Sequence, residues 1–300
     1  MIAIIGWGAV SPAGWGVDCL RDGNFGSSNE IERPGSDALR VYQVPKEGMP
    51  RQLFRHARLR RTSTIGRFAM AAAHEAVTMA ALPADERRRL GIVYCTTCGC
   101  VNYSRRFYAE VLENPAVASP LIFPETVFNA PGSHLSAVWE NPVVNYTLVG
   151  DSGVYLQGLA VAANWLEAGK VDDCLVVAAE EADWITADVM RHFDSGTVLT
   201  EGAGAMLLTQ GGAGACLQTV SSLHDYAVSG AREMAWNAMA AELGGEPDSP
   251  GLNGEALSAG AAWQSIMAVD RISRNEARSV AVGVPGVYQF AVGAVFEKHV

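Results

Sequence analysis

Short, nearly unbroken apolar runs alternate along the chain with stretches in which apolar residues recur at every third or fourth position, and this alternation predicts an α/β fold. Strands are predicted at 2–5, 90–95, 143–149, 174–179, 204–209 and 216–222, then at 279–284 and 288–296. Most lack polar alternation, as expected of strands covered on both faces. Helical spacing fits between them, over 65–81, 101–112, 155–168, 231–241 and 257–271. The polar stretch 24–52, with its glycines and prolines, is expected to be irregular. Gly211-Gly212-Ala213-Gly214 between two strands predicts a hairpin or a domain seam. Two similar halves would meet near Gln210, as 1–210 and an abbreviated 211–300.

The most informative junction is Val149-Gly150-Asp151-Ser152-Gly153, between the strand at 143–149 and a helix apolar at Leu156, Leu159, Ala160, Ala163 and Leu166 and closed by Gly169. A small-residue turn at a helix start presents a side chain to the helix dipole and to backbone N–H groups, which suits an attacking group or a developing oxyanion. The junction resembles the strand, turn and helix of β-ketoacyl synthases, which carry the acyl-accepting cysteine four residues before the leucine of a Leu-Gln pair. Counting back from Leu156-Gln157 reaches Ser152. Further segments resemble the same family in the right order. Ile2 to Gly14 is similar to its first strand and loop. Phe123-Pro124-Glu125-Thr126-Val127-Phe128-Asn129-Ala130-Pro131-Gly132 is similar to the segment that crosses the dimer interface towards the partner's acyl channel. Phe193-Asp194 and Glu201-Gly202-Ala203-Gly204-Ala205 are similar to its Phe-Asp loop and glycine-rich turn. The resemblance implies a thiolase-like fold, with duplicated βαβαβ halves in alternating helix and sheet layers. It places Phe123, Val127, Phe128, Asn129 and His134 at the acyl tunnel or dimer interface, and His192 and Phe193 in a loop near the site.

Departures from that family bear on function. A condensing ketosynthase needs a cysteine and two histidines, which stabilise the thioester oxyanion and assist decarboxylation of the malonyl extender. Ser152 replaces the cysteine. Gly254-Glu255-Ala256-Leu257 resembles the second histidine motif with Glu255 at the histidine position, and 240–253 offers no counterpart of the first. A carboxylate facing an enolate reverses the electrostatics the reaction needs. Two readings follow. One is a chain-length factor, a non-condensing subunit that pairs with an active ketosynthase and shapes its tunnel. The other is a serine acyltransferase or thioester hydrolase, for which Ser152 needs a histidine base. By position only His134 and His192 could supply it.

Composition narrows the partners. The chain has 300 residues, 49% of them hydrophobic, so a large core is within reach. A net charge of −10 without a long basic run argues against nucleic acid and anionic membrane. It also argues against strong attraction to an acyl carrier protein, generally acidic, which is expected to dock mainly on the partner or on local clusters such as 51–61 or 87–89. No apolar run has the length of a membrane span, and the start lacks the basic region and cleavage site of a signal peptide. The six cysteines suit a reducing cytoplasm. Cys95-Thr96-Thr97-Cys98-Gly99-Cys100 lacks a second ligand pair at zinc spacing, so buried free thiols are expected and no metal.

Other signals are discounted. Gly6-Trp7-Gly8-Ala9-Val10-Ser11 begins like a dinucleotide fingerprint, but Ser11 stands at the third glycine position and Pro12 follows where a helix should start, so no cofactor is expected. Glu180-Glu181-Ala182-Asp183 ends a strand, where paired structural carboxylates outweigh a metal site. His74 suits helix packing, and His56, His224 and His299 have no motif around them.

Overall fold

The computed structural model describes residues 1–60, 62–81, 89–139, 142–226, 228–248 and 253–299. Its first half runs β1 (Ile2–Ser11), β2 (Gly14–Trp15), α1 (Val17–Asp22), β3 (Asn29–Arg33), β4 (Ser36–Tyr42), α2 (Thr64–Ala80), β5 (Leu90–Thr96), α3 (Val101–Glu113), α4 (Ala130–Val138) and β6 (Val144–Val149). There follow α5 (Val154–Glu167), β7 (Asp173–Glu180), α6 (Trp184–Met190), β8 (Leu199–Thr200), β9 (Gly202–Gln210), β10 (Gly214–Val220), β11 (His224–Asp225), α7 (Arg232–Glu242), α8 (Leu257–Ser273), β12 (Ser279–Val284) and β13 (Phe290–His299).

Among the described residues the main hydrogen-bonded sheet has the order β11-β13-β10-β1-β9-β7-β5-β6, with β12 beside β13 and β2 beside β1. Strands β5, β6 and β7 are parallel, while β9 is antiparallel to both β7 and β1. The two wings of the sheet are joined only where Ile2 and Ala3 of β1 pair with Leu217 and Cys216 of β10. Helices α5 and α8 pack on each other and touch strands of both wings; α2 and α4 cover the outside of one wing and α7 the outside of the other. The result is five alternating layers, helix, sheet, helix, sheet, helix. The central layer is the driest part, with Tyr155, Leu156, Leu159, Trp263, Ile266 and Val269 all buried, which explains why these helices carry apolar residues on more than one face.

Most predicted elements form where the apolar pattern placed them, 279–284 to the residue. Four differences have physical causes. The first strand continues past residue 5 to Ser11, because Gly6 and Gly8 face α2 rather than ending the strand. A Cβ on Gly6 would lie 2.0 Å from the carbonyl oxygen of Ala76, and one on Gly8 2.2 Å from that of Ala72, so these glycines let the helix press on the strand. The stretch 24–52 is not wholly irregular, since β3 and β4 pair within it and β4 pairs with β8 in a small second sheet. Its apolar anchors, Ile31, Leu39 and Val41, are too sparse to show as a run. Gly211 to Gly214 does not close a hairpin, because β9 and β10 flank β1 on opposite sides. Finally, α1, α4 and α6 are short; α4 opens with Pro131 and Gly132, poor helix formers inside a helix although Pro is accepted in its first turn.

Candidate active site

The turn between β6 and α5 places Ser152 at the head of the central layer, 3% exposed. Asp151 beside it is fully buried, and its carboxylate is saturated by backbone donors. Oδ1 accepts from Ser152 N at 2.7 Å and Val287 N at 2.8 Å, while Oδ2 accepts from Tyr288 N at 3.1 Å and Gln289 N at 2.9 Å. The loop between β12 and β13 is thereby tied over the turn. The N–H of Ser152 and those of Val287, Tyr288 and Gln289 are thus all engaged by the Asp151 carboxylate.

Glu255 approaches from the other side. Its Oε1 accepts the Ser152 hydroxyl at 3.4 Å and Leu257 N, at the start of α8, at 2.6 Å. Its backbone is knitted to the strand β8 region through Glu255 N to the oxygen of Val198 and Thr200 N to the oxygen of Glu255, both 2.9 Å. Burial pushes the Glu255 carboxyl above its ordinary value, and the Asp151 charge adds to that. The short bond to Leu257 N and the long one to Ser152 make Glu255 a cap of α8 that also accepts a hydrogen bond from the serine hydroxyl.

Glu180 supports the same region. Burial pushes its carboxyl up to about 7 even though Ser258 Oγ, Thr97 N at 2.5 Å and Cys98 N at 3.1 Å all donate to it. It thus joins the ends of β7 and β5 to the first turn of α8. No sequence signal marked this role, since its donors come from segments about eighty residues away on either side. The neighbouring thiols are free: Cys95 and Cys100 are buried, Cys98 is half-buried, and burial drives all three upward, so they stay protonated.

The structure does not bring His134 to Ser152. It lies on α4 in the outer layer, its Nε2 2.7 Å from Glu125 Oε1, with its ring against Gly66 of α2. Burial pushes Glu125 up, but the hydrogen bond and charge of His134 prevail and hold its carboxyl below the usual value. His192 is exposed after α6 and makes no side-chain hydrogen bond among the described residues. Phe193 next to it does reach the site's rim, its ring 5.8 Å from that of Tyr288 on the loop held by Asp151. Phe123, Val127, Phe128 and Asn129 stand exposed ahead of α4. Tyr146 and Val149 on the edge strand β6 are also about half exposed. Cavities of about 640 and 860 Å³ lie beside α2 and are lined by other residues, so Ser152 opens into neither.

No protein-family model matches the sequence, and no curated protein is similar to it. Solved structures are similar in fold over nearly the whole chain. The ishigamide ketosynthase/chain length factor matches with a TM-score of 0.78 at 17% identity, covering 99% of both chains. A type II acyl-carrier protein in complex with its hexaketide-bound ketosynthase, AntDE:AntF, matches at 0.76 and 14%, again over 99% of both chains. The ketosynthase ApeO in complex with its chain length factor ApeC, from Xenorhabdus doucetiae, matches at 0.75 and 14%, covering 99% of this chain and 98% of that one. The chain therefore has the thiolase-like fold of these ketosynthase and chain-length-factor structures.

Proposed function

We propose that the chain is a chain-length-factor-type subunit, which pairs with a catalytic β-ketoacyl synthase in type II fatty-acid or polyketide synthesis and shapes the acyl tunnel without condensing. One observation carries the reading: the Asp151 carboxylate occupies the backbone donors around Ser152. A tetrahedral intermediate needs such donors free and aimed at the developing oxyanion. Glu255 on the opposite side adds a second acid where a donor is required. A serine acyltransferase or hydrolase would need both those donors and a base, and His134 is held by Glu125 in another layer.

The partner's place is argued from the exposed apolar edge of β6 and the 123–134 segment, since an unpaired apolar edge strand left bare invites aggregation. Three of the similar structures are named for a ketosynthase with a chain length factor or a carrier protein, and the same kinds of partner are proposed here. The carrier docks mainly on the catalytic subunit, because this chain has a net charge of −10. In this reading 1–210 is the ketosynthase-like half, 211–300 is its abbreviated counterpart, and the complex is cytoplasmic, which six free thiols in a reducing compartment would suit. Co-expression with a ketosynthase that has an intact cysteine and two histidines tests it. A stable complex whose product length changes with this chain supports the proposal; a chain that stays monomeric in such mixtures, or that carries an acyl group on Ser152 by mass spectrometry, overturns it.

A further inference from the structure

The sheet end at which β1 and β7 finish carries, on its α2 side, a depression of about 860 Å³ that the Ser152 turn does not use. Crevices outside the carboxyl ends of parallel strands are the usual ligand positions of α/β sheets. Lys46, Arg51 and Arg67 line this one. In a chain of net charge −10 the half-buried Arg21 is matched with Asp270 and the half-buried Arg33 with Asp188, whereas of the cations here Arg67 is half-buried and Lys46 and Arg51 are exposed. These three cations are in no ion pair among the described residues, and the Nε of Arg67 is buried without a hydrogen-bond partner. The Arg67 guanidinium lies 5.9 Å from the centre of the Phe54 ring, which fixes its plane without satisfying its donors.

Two carboxyls also face the depression. Glu47 is exposed at its rim. Glu201 forms its floor, with both oxygens already accepting Val44 N and Ala182 N at 3.0 and 3.1 Å, and burial pushes it up to about 7. Neither pairs with the cations. Trp15 and Phe68, edge to face at 5.8 Å, give an apolar wall beside them. A carboxylate ligand would bring one charge to three cations, whereas a phosphate monoester brings close to two and three acceptor oxygens, which suit the guanidinium fork. The volume is that of a pocket for a mid-sized organic molecule.

We infer that this pocket binds a phosphate ester, with its phosphate on Arg67, Arg51 and Lys46 and its organic part against Trp15 and Phe68. The inference is independent of the role of Ser152. Calorimetric titration of the full chain with phenyl phosphate tests it, with phenol and inorganic phosphate as controls. Saturable binding is expected, tighter than that of either control, and weakened about tenfold or more in Arg67→Gln, the loss of a charge-assisted hydrogen bond. Lys46→Gln, at an exposed side chain that cannot compromise folding, is expected to weaken it in the same direction. Absence of saturable binding at millimolar phenyl phosphate, or equal affinity in wild type and both variants, overturns the inference. So does the finding that an acidic carrier protein, and not phenyl phosphate, binds in an Arg67-dependent way, for then the cations serve docking of a protein.

Discussion

Replacing Asp151 with asparagine separates its two oxygens. One amide oxygen can still accept from Ser152 and Val287, but an NH₂ group then faces Tyr288 N and Gln289 N, whose bonds to Oδ2 are 3.1 and 2.9 Å. The site is fully buried, so two orphaned donors cost about 1–3 kcal/mol each, and about 2–6 kcal/mol together. Asp151→Ala removes both acceptor oxygens, and with them all four bonds, and is expected to cost at least as much. In urea unfolding the midpoint should fall by an amount matching that loss at an unchanged slope, because the surface exposed on unfolding is the same. Amide exchange at Val287, Tyr288 and Gln289 should accelerate before global unfolding, since the loop loses its anchor while the layers persist. Asp18→Asn, at a side chain 92% exposed, serves as the control that leaves the midpoint in place. An Asp151→Asn protein with wild-type midpoint and wild-type exchange at 287–289 would refute the argument that this carboxylate holds the loop and fills the donor site.

Four further outcomes follow from the same geometry. Ser152→Ala should leave product formation by the complex with a ketosynthase close to wild type, as read by product mass and rate, because the hydroxyl donates to Glu255 and neither His134 nor His192 reaches it. Glu255→His should release no more carbon dioxide from malonyl-carrier protein than a no-enzyme control, since one imidazole restores neither the thiol nor the second histidine, and Asp151 still holds the donors. Val149→Lys, on the exposed edge strand, should shift light scattering of the complex towards monomers without altering the chain's own circular dichroism. Burial raises Glu180, Glu181 and Glu201 from 4.5 to about 7, so between those values the folded state holds protons that the unfolded chain has lost. Stability should therefore fall as pH rises through that window, and Glu201→Gln should flatten the slope in urea midpoints measured across it.

The strands and helices that matter most to the layers were legible because each carries its own signal. The central helix α5 is apolar on several faces and β7 is apolar throughout, which only burial on both sides accommodates. What stayed illegible depends on partners distant in sequence. β4 pairs with β8, more than 150 residues away, β3 pairs with β4, and α6 packs against both. Of the two alternatives for Gly211 to Gly214, hairpin or domain seam, the hairpin failed because adjacency in sequence does not reveal that β1 wedges between the two strands. At the site, the resemblance marked Ser152 and Glu255 separately, but their hydrogen bond spans 103 residues, and Asp151 reaches its loop across 136 to 138. A buried aspartate in a glycine-rich turn is a local hint that backbone donors are being satisfied; which donors it satisfies is a property of the fold alone.

Those long-range bonds also explain how a site can lose its chemistry while the scaffold stays intact. A reactive site keeps backbone donors unsatisfied, and that is a strain on the fold which only function justifies. Here an acid on each side of Ser152 removes the strain: Asp151 satisfies the donors of the turn and of the 287–289 loop, and Glu255 caps α8 while taking the serine hydroxyl. Both acids stabilise the layers in which they sit, and both oppose negative charge at the same point. Restoring condensation therefore requires more than supplying a thiol and imidazoles. The donors held by Asp151 must first be freed, at a cost to stability that the urea measurements above would quantify. Variants that replace Ser152 and Glu255 but keep Asp151 should remain folded and inert.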